Sequence, residues 1–311
     1  MPPSPLTPRP FRAALPVLLL ITSVFLLNFL SRVVLAPLMP AVRLELGISH
    51  AEAGSFFLIM AAGVSIGLLS NSFVSSRLTH RRTIALSALV TGVALIGASQ
   101  VASLTVFKVL WALAGLGAGL YLPSGIATVT SLLEKKHWGK GLATHEMAPN
   151  GSFILAPILA ELMLAVADWR TTLTFLGIAQ VIIAFVFLRG CKAGAFPGAP
   201  IRRAIAGRIL LRRSFWVMAV LFTLGVVASM GPYSMIPLYL VDMGWERTQA
   251  NQLLAVSRIL AFGMPFAAGW LVDRIGGKRT IGVYLVCASA ATIFLGLAQG
   301  NWLTLAVLLQ P

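Results

Sequence analysis

The strongest constraint on this chain is how often it repeats an unbroken apolar run long enough to cross a bilayer. Spanning the hydrocarbon core takes about 20 apolar residues in a helix. Such runs occupy residues 15–39, 53–74, 84–104, 107–132, 142–167, 171–189, 215–241, 249–272 and 280–299, with a shorter one at 302–311. They are too long for barrel strands and lack the two-residue alternation that strands need. A mean hydropathy of +0.89, with 58% hydrophobic and 11% charged residues, excludes an ordinary soluble domain. The expected fold is an all-α polytopic membrane protein.

The chain also repeats itself at an offset of 197 residues. Pro40, Gly47, Arg77, Arg82, Thr83 and Ile84 recur without a gap as Pro237, Gly244, Arg274, Arg279, Thr280 and Ile281, and Arg81 recurs as Lys278. Repeats on this scale imply two related helical halves. By the same offset Pro311 corresponds to Ala114, inside the fourth run of the first half. The expectation is two pseudo-repeated six-helix bundles, the second incomplete, with about 9.5 transmembrane helices present. The reading divides the chain into a disordered cytoplasmic tail (1–13), a six-helix bundle (14–189), a basic cytoplasmic linker (190–214) and a partial second bundle (215–311). A short surface helix is expected across Arg202 to Arg213.

A net charge of +15 invites a nucleic-acid reading, but the distribution of the charge argues against it. With the N-terminus in the cytoplasm, 18 of the 24 Lys and Arg fall on the cytoplasmic side. Only Arg43, Arg170 and Arg247 fall on the other, and Arg32, Lys108 and Arg258 lie within runs. That bias is the positive-inside signature, so the basic balance records topology and anionic headgroups. The partner is the lipid bilayer of an inner membrane, with no nucleic acid. The first run is too long and too poorly followed by a cleavage site to be a secretory signal. Cys191 and Cys287 make no metal spacing, and a disulfide is not expected. No metal or cofactor site, nucleophile elbow or carboxylate dyad is evident, so an enzyme is not expected.

The residues Gly269-Trp-Leu-Val-Asp273-Arg274-Ile-Gly276-Gly277-Lys278-Arg279 resemble the loop signature of the major facilitator superfamily. In the first half the same loop is degraded: Ser72 and Ser76 replace the Gly and Asp, and Thr79 and His80 replace the Gly and first basic residue. Arg77 and Arg81 remain. The run from Ala114 to Pro123 resembles the Gly-rich fourth helix of that superfamily, with Trp111 where an Arg is common. Ser152-x-x-x-Ala156-Pro157-x-x-Ala160 weakly resembles its antiporter motif. The resemblance covers the chain from about residue 14. It implies a secondary transporter working by alternating access, monomeric when full length, with a site at the interface of the bundles. It also implies a gating loop built from Gly269, Asp273, Arg274, Gly276, Arg77 and Arg81. In the small-residue positions close helix approach is the physical purpose, and Gly276 permits the turn.

Charges inside runs single out candidate sites. Arg258 lies nine residues into its run, about 14 Å deep at 1.5 Å per residue. A guanidinium there needs a cavity or a partner, and its fork suits two-oxygen anions. Arg32 lies eight residues before Pro40 and either contacts substrate or snorkels to the surface. With Asn28 and Tyr233 these arginines favour a small anionic solute, with a coupling proton or counter-anion. Glu146 is the proton-coupling candidate, with His145 and Glu161 as further titratable groups. A proton-coupled multidrug antiporter is the alternative, and a truncated, non-transporting remnant another.

Overall fold

The computed structural model describes residues 9–200, 203–262 and 264–310. The tail residues 1–8, Arg202 at the edge of the expected surface helix, and the end at Pro311 lie outside the described residues. Among the described residues every regular element is a helix, with one isolated backbone bridge between Arg9 and Leu133.

The helices run α1 (Phe11–Val33), α2 (Leu35–Leu46), α3 (His50–Leu78), α4 (His80–Gln100), α5 (Leu104–Gly119), α6 (Tyr121–Leu132) and α7 (Trp138–Leu164). They continue with α8 (Trp169–Gly190), α9 (Arg203–Leu210), α10 (Arg213–Asp242), α11 (Arg247–Ala261), α12 (Met264–Ile275), α13 (Gly277–Leu297) and α14 (Asn301–Leu308). Eight spans among the described residues are long and apolar enough to cross a membrane. α11 and α12 lie on either side of residue 263 and together carry the eighth run of the sequence.

Proline explains two of the breaks. Pro37 and Pro123 each lack an N–H and press on the carbonyl four residues back, at Val33 and Gly119, where α1 and α5 end. The backbone then continues helically through Val34 and Leu120, so α1–α2 and α5–α6 each form one broken span. The first helix opens at Phe11, directly after Pro10, so Phe11, Arg12 and Ala13 are helical and not part of a tail. A capping box of Ser49 and Glu52 starts α3, and Asp168 caps α8. Hydrogen bonds from the Thr171 hydroxyl and backbone N–H hold the Asp168 carboxyl below its usual range.

The repeat seen in the sequence reappears in the backbone. Gly47 and Gly244 both end helices at positive φ, +60° and +87°. Thr79 and Gly276 cap α4 and α13 with φ, ψ of 129°, 156° and 82°, 153°. Thr83 and Thr280, one turn on, each donate a hydroxyl hydrogen bond to that cap's carbonyl, at 2.8 and 3.0 Å.

The chain divides into two compact units. The first comprises 1–34, 43–152 and 162–201; the second comprises 35–42, 153–161 and 202–311. The first is held by close helix contacts, α3 on α5 and α4 on α8. A Cβ at Gly63 would strike the Ala112 carbonyl, and one at Gly119 the Val64 carbonyl. Small residues are therefore what lets α3 and α5 touch backbone to backbone. Trp111 is fully buried beside them and donates Nε1–H to the Phe56 carbonyl at 3.1 Å. At Gly269, by contrast, a Cβ would meet nothing within 4 Å among the described residues.

Candidate functional site

Within the second unit, α11 buries one stripe: Ala250, Asn251, Leu254, Ala255, Ser257 and Arg258. The spacing of three, four and seven puts these on a single helical face. Arg258 is 7% exposed. Its guanidinium carbon lies 4.9 Å from the Tyr233 ring centre and 5.2 Å from that of Phe153. The two rings meet edge to face at 4.7 Å and 72°, and the Tyr233 hydroxyl donates to the Phe153 carbonyl at 3.4 Å. Two aromatic faces therefore hold the charge, worth about 2 kcal/mol when desolvated.

The rings leave the donors over. Arg258 Nε and Nη2 are buried and have no hydrogen-bond partner, and none of the ion pairs among the described residues includes Arg258. These two nitrogens lie on one edge of the guanidinium and together form a side-on fork, matched to two oxygens of a planar anion. A buried, charged donor without an acceptor costs about 1–3 kcal/mol or more. An acceptor on this edge would satisfy both donors.

Two to three turns before Arg258 on α11, a second polar cluster has the opposite character. Glu161 carries an ion pair from Arg247 at 3.2 Å and accepts from Arg247 Nη2 at 3.3 Å. It also accepts from the Thr248 hydroxyl at 2.9 Å and from Asn251 Nδ2 at 2.6 Å. Asn251 Nδ2 also donates to the Pro37 carbonyl at 3.1 Å. This carboxylate is saturated with donors and pins segment 153–161 to α11, while Asn251 ties segment 35–42 to the same helix.

The remaining binding and proton-coupling candidates lie in the first unit. Asn28 is buried and donates to the Ser87 hydroxyl at 3.2 Å, leaving its own Oδ1 unpartnered. Arg32 is partly buried with its guanidinium 4.6 Å from the Phe29 ring centre. His145 is fully buried, stacked on Phe25 at 4.4 Å, with Nε2 3.1 Å from the Tyr121 hydroxyl. Glu146 is half exposed and 3.4 Å from His145 Nδ1. Asn150, one turn on, donates to the Glu146 backbone carbonyl at 3.0 Å. Of the four binding candidates, the structure brings Arg258 and Tyr233 together.

The two loop copies share one more device. Arg77 stacks on Phe73 at 3.8 Å, and Arg274 stacks on Trp270 at 4.3 Å, each four residues from its ring. Asp273 and Gly276 are exposed, and Arg81 donates Nη2–H to the Leu188 carbonyl.

Sequence reasoning missed Phe153, Asn251 and the partners of Glu161. Asn251 was accessible, since it lies seven residues before Arg258 on one helical face. Phe153 was not, because its contact with Arg258 spans 105 positions of chain with no local signal.

Comparison with known proteins gives the family. The family model described as Major Facilitator Superfamily matches residues 21–310. The chain belongs to the Major Facilitator Superfamily. It is 22% identical over 271 residues to the multidrug resistance protein MdtL of Klebsiella pneumoniae, covering 86% of this chain and 69% of that protein. Against MdtL of Shigella dysenteriae serotype 1 it is 26% identical over 245 residues, covering 76% of this chain and 62% of the relative. Among solved structures it is similar to a bacterial homolog of the human lysosomal transporter Spinster, with a TM-score of 0.74 at 16% identity. That match covers 97% of this chain and 72% of the other. A POT family transporter in complex with 5-aminolevulinic acid gives 0.75 at 13% identity, covering 96% and 80%. At these identities the structures establish the fold alone, while the family match and the apolar spans make the chain a multi-pass membrane protein.

Proposed function

We propose that this chain serves a secondary transporter of the inner membrane that moves a small organic anion by alternating access. The single observation that carries the reading is Arg258, held between Phe153 and Tyr233 with Nε and Nη2 unpartnered. The rings stabilise the cation without consuming its hydrogen bonds, which leaves the fork for a ligand acceptor. An anion with an apolar body fits this combination better than a bare inorganic ion, because the surroundings of the fork are aromatic. In this reading Arg258 and Tyr233 contact the substrate, Arg32 and Asn28 are contacts in the first half, and Glu146 beside buried His145 carries a coupling proton. The N-terminus is cytoplasmic, residues 190–214 are a linker, and the loops containing Arg77, Arg81, Gly269, Asp273, Arg274 and Gly276 act as gates.

One observation favours a second reading, proton-coupled multidrug efflux: the curated relatives matched are multidrug resistance proteins. The two readings separate in one experiment. Thermal unfolding of the purified protein is followed with aromatic and aliphatic carboxylates, phosphate esters, nitrate and tetraphenylphosphonium, in wild type and Arg258→Gln. A ligand at a hundred times its dissociation constant adds about 2.7 kcal/mol, a readily measured shift. The anion reading expects a carboxylate-dependent shift that Arg258→Gln abolishes. A shift produced by the lipophilic cation alone, indifferent to Arg258, would overturn it in favour of drug efflux.

A further inference from the structure

Residues 191–200, expected to be free linker, run back over the loop between α3 and α4. Gly198 N–H donates to the Ser75 carbonyl at 3.0 Å, and the Ser72 hydroxyl donates to the Ala199 carbonyl at 2.7 Å. In return, His80 N–H donates to the Phe196 carbonyl at 3.1 Å, and Arg81 N–H donates to the Gly194 carbonyl at 2.8 Å. Those two N–H groups belong to the first turn of α4, where helix donors have no partner within the helix. The returning segment supplies their acceptors. The His80 ring packs edge-on against Phe196 at 4.9 Å, and its Nδ1 lies 3.1 Å from the Ser124 hydroxyl on α6.

Two glycines make the fit possible. Gly194 adopts φ +73°, and a Cβ there would stand 2.5 Å from the Thr128 hydroxyl; one at Gly198 would collide with the Ser75 hydroxyl. Cys191, at the root of the segment, is fully buried with Ala193. Ser72 and His80 are two of the positions where this loop departs from the second copy, which has Gly269 and Gly277 there. Both departures are used to receive the segment.

We propose that residues 191–199 form a strap that fastens the end of α3 to the start of α4 and to α6, sealing Cys191 at its root. Docked, the strap makes these helix ends one rigid piece and takes residues 191–199 out of the free connector. Lifted, it uncaps α4 and exposes Cys191. Burial also pushes the Cys191 thiol up, which slows its reaction while the strap is down.

The buried thiol is its own reporter. In a Cys287→Ala background in detergent, maleimide labelling of Cys191 is expected to run at least about tenfold slower than in SDS, since labelling waits on local opening. Gly194→Val or Gly198→Val is expected to speed it about tenfold with the melting transition retained. A second arm does not depend on those variants folding. Ser72→Cys with Ala199→Cys, on a Cys191→Ala, Cys287→Ala background, is expected to cross-link under mild oxidation. Wild-type labelling as fast as in SDS overturns the strap, as does unchanged labelling in a glycine variant that still melts like wild type. Absence of the cross-link overturns it too, and where a glycine variant loses its melting transition the cross-link alone decides.

Discussion

The loop after α3 and the loop after α12 are two solutions to one geometrical problem. Both end a helix with a residue in a backbone region that is essentially reserved for glycine, then start the next helix with that residue as cap. Both place an arginine on an aromatic ring four residues before it. Both follow the cap with a threonine that bonds back to it. Around this common frame they diverge. The second copy uses Gly276, keeps Asp273, and lies exposed, and among the described residues nothing stands within 4 Å of a Cβ at Gly269, Gly276 or Gly277. The first copy uses Thr79, has no acid at Ser76, and is covered by residues 191–200. The degraded motif is therefore not a weakened version of the intact one. Two of its substituted side chains, Ser72 and His80, contact a strap otherwise held by backbone groups, whereas the intact copy leaves Asp273 and Lys278 exposed.

Exchanging residues between the copies should break this comparison. The two largest effects are of similar size, and the first is Gly276→Thr, which puts a β-branched residue at φ +82° with no strap to hold it. Strain of that kind costs about 1–3 kcal/mol, read as a lowered melting temperature; a neutral result would mean that α12 and α13 re-set their caps freely. Next comes the pair Arg81→Ala and Lys278→Ala. Arg81 reaches the Leu188 carbonyl, a charge-assisted contact worth about 1.5–3 kcal/mol, while Lys278 is exposed and should stay within about 0.5 kcal/mol. Equal losses from the two would remove the asymmetry between the loops.

The fold was legible because its signal is redundant. Each apolar run independently demands a helix, and the offset of 197 matches the positive-φ positions 47/244 and 79/276 that the backbone displays. The cap at Thr79 was the least legible point, since threonine conceals a glycine conformation that only the alignment with Gly276 hints at. For the site, Arg258 was legible from depth alone, because a charge in the hydrocarbon region always needs an explanation. Its partner Phe153 was not, since an apolar residue in an apolar run carries no information about which helix it faces. The strap was hidden for a different reason. It is built almost entirely from backbone groups, and Cys191 through Pro200 reads from composition as an ordinary Gly- and Pro-containing connector.

Two smaller exchanges sharpen what the frame alone contributes. Thr79→Gly relieves the strain at φ 129° and gives up the Thr79 side chain's hydrogen bond from Arg82 N–H, which at 3.3 Å is long. Replacing a capping threonine by glycine costs a few tenths of a kcal/mol, less than the strain released, so a net gain of about 1 kcal/mol is expected. The melting temperature should rise, and a fall would show that the strap depends on the threonine side chain.

The smallest effect belongs to Asp273→Ser, which gives the second copy the residue that the first has at Ser76. Asp273 is exposed and sits in the last turn of α12, where the helix dipole disfavours a negative charge. Its removal is expected to leave stability unchanged or raise it by about 0.3–0.5 kcal/mol. The retained acid is then explained by something other than folding, and the gating reading of this loop gains what the first copy, with its neutral Ser76 under a strap, cannot offer it. A loss beyond about 1 kcal/mol in thermal unfolding, well outside the range for an exposed surface substitution, would instead make Asp273 a structural anchor, and the two loops would differ only in which polar group ties them down.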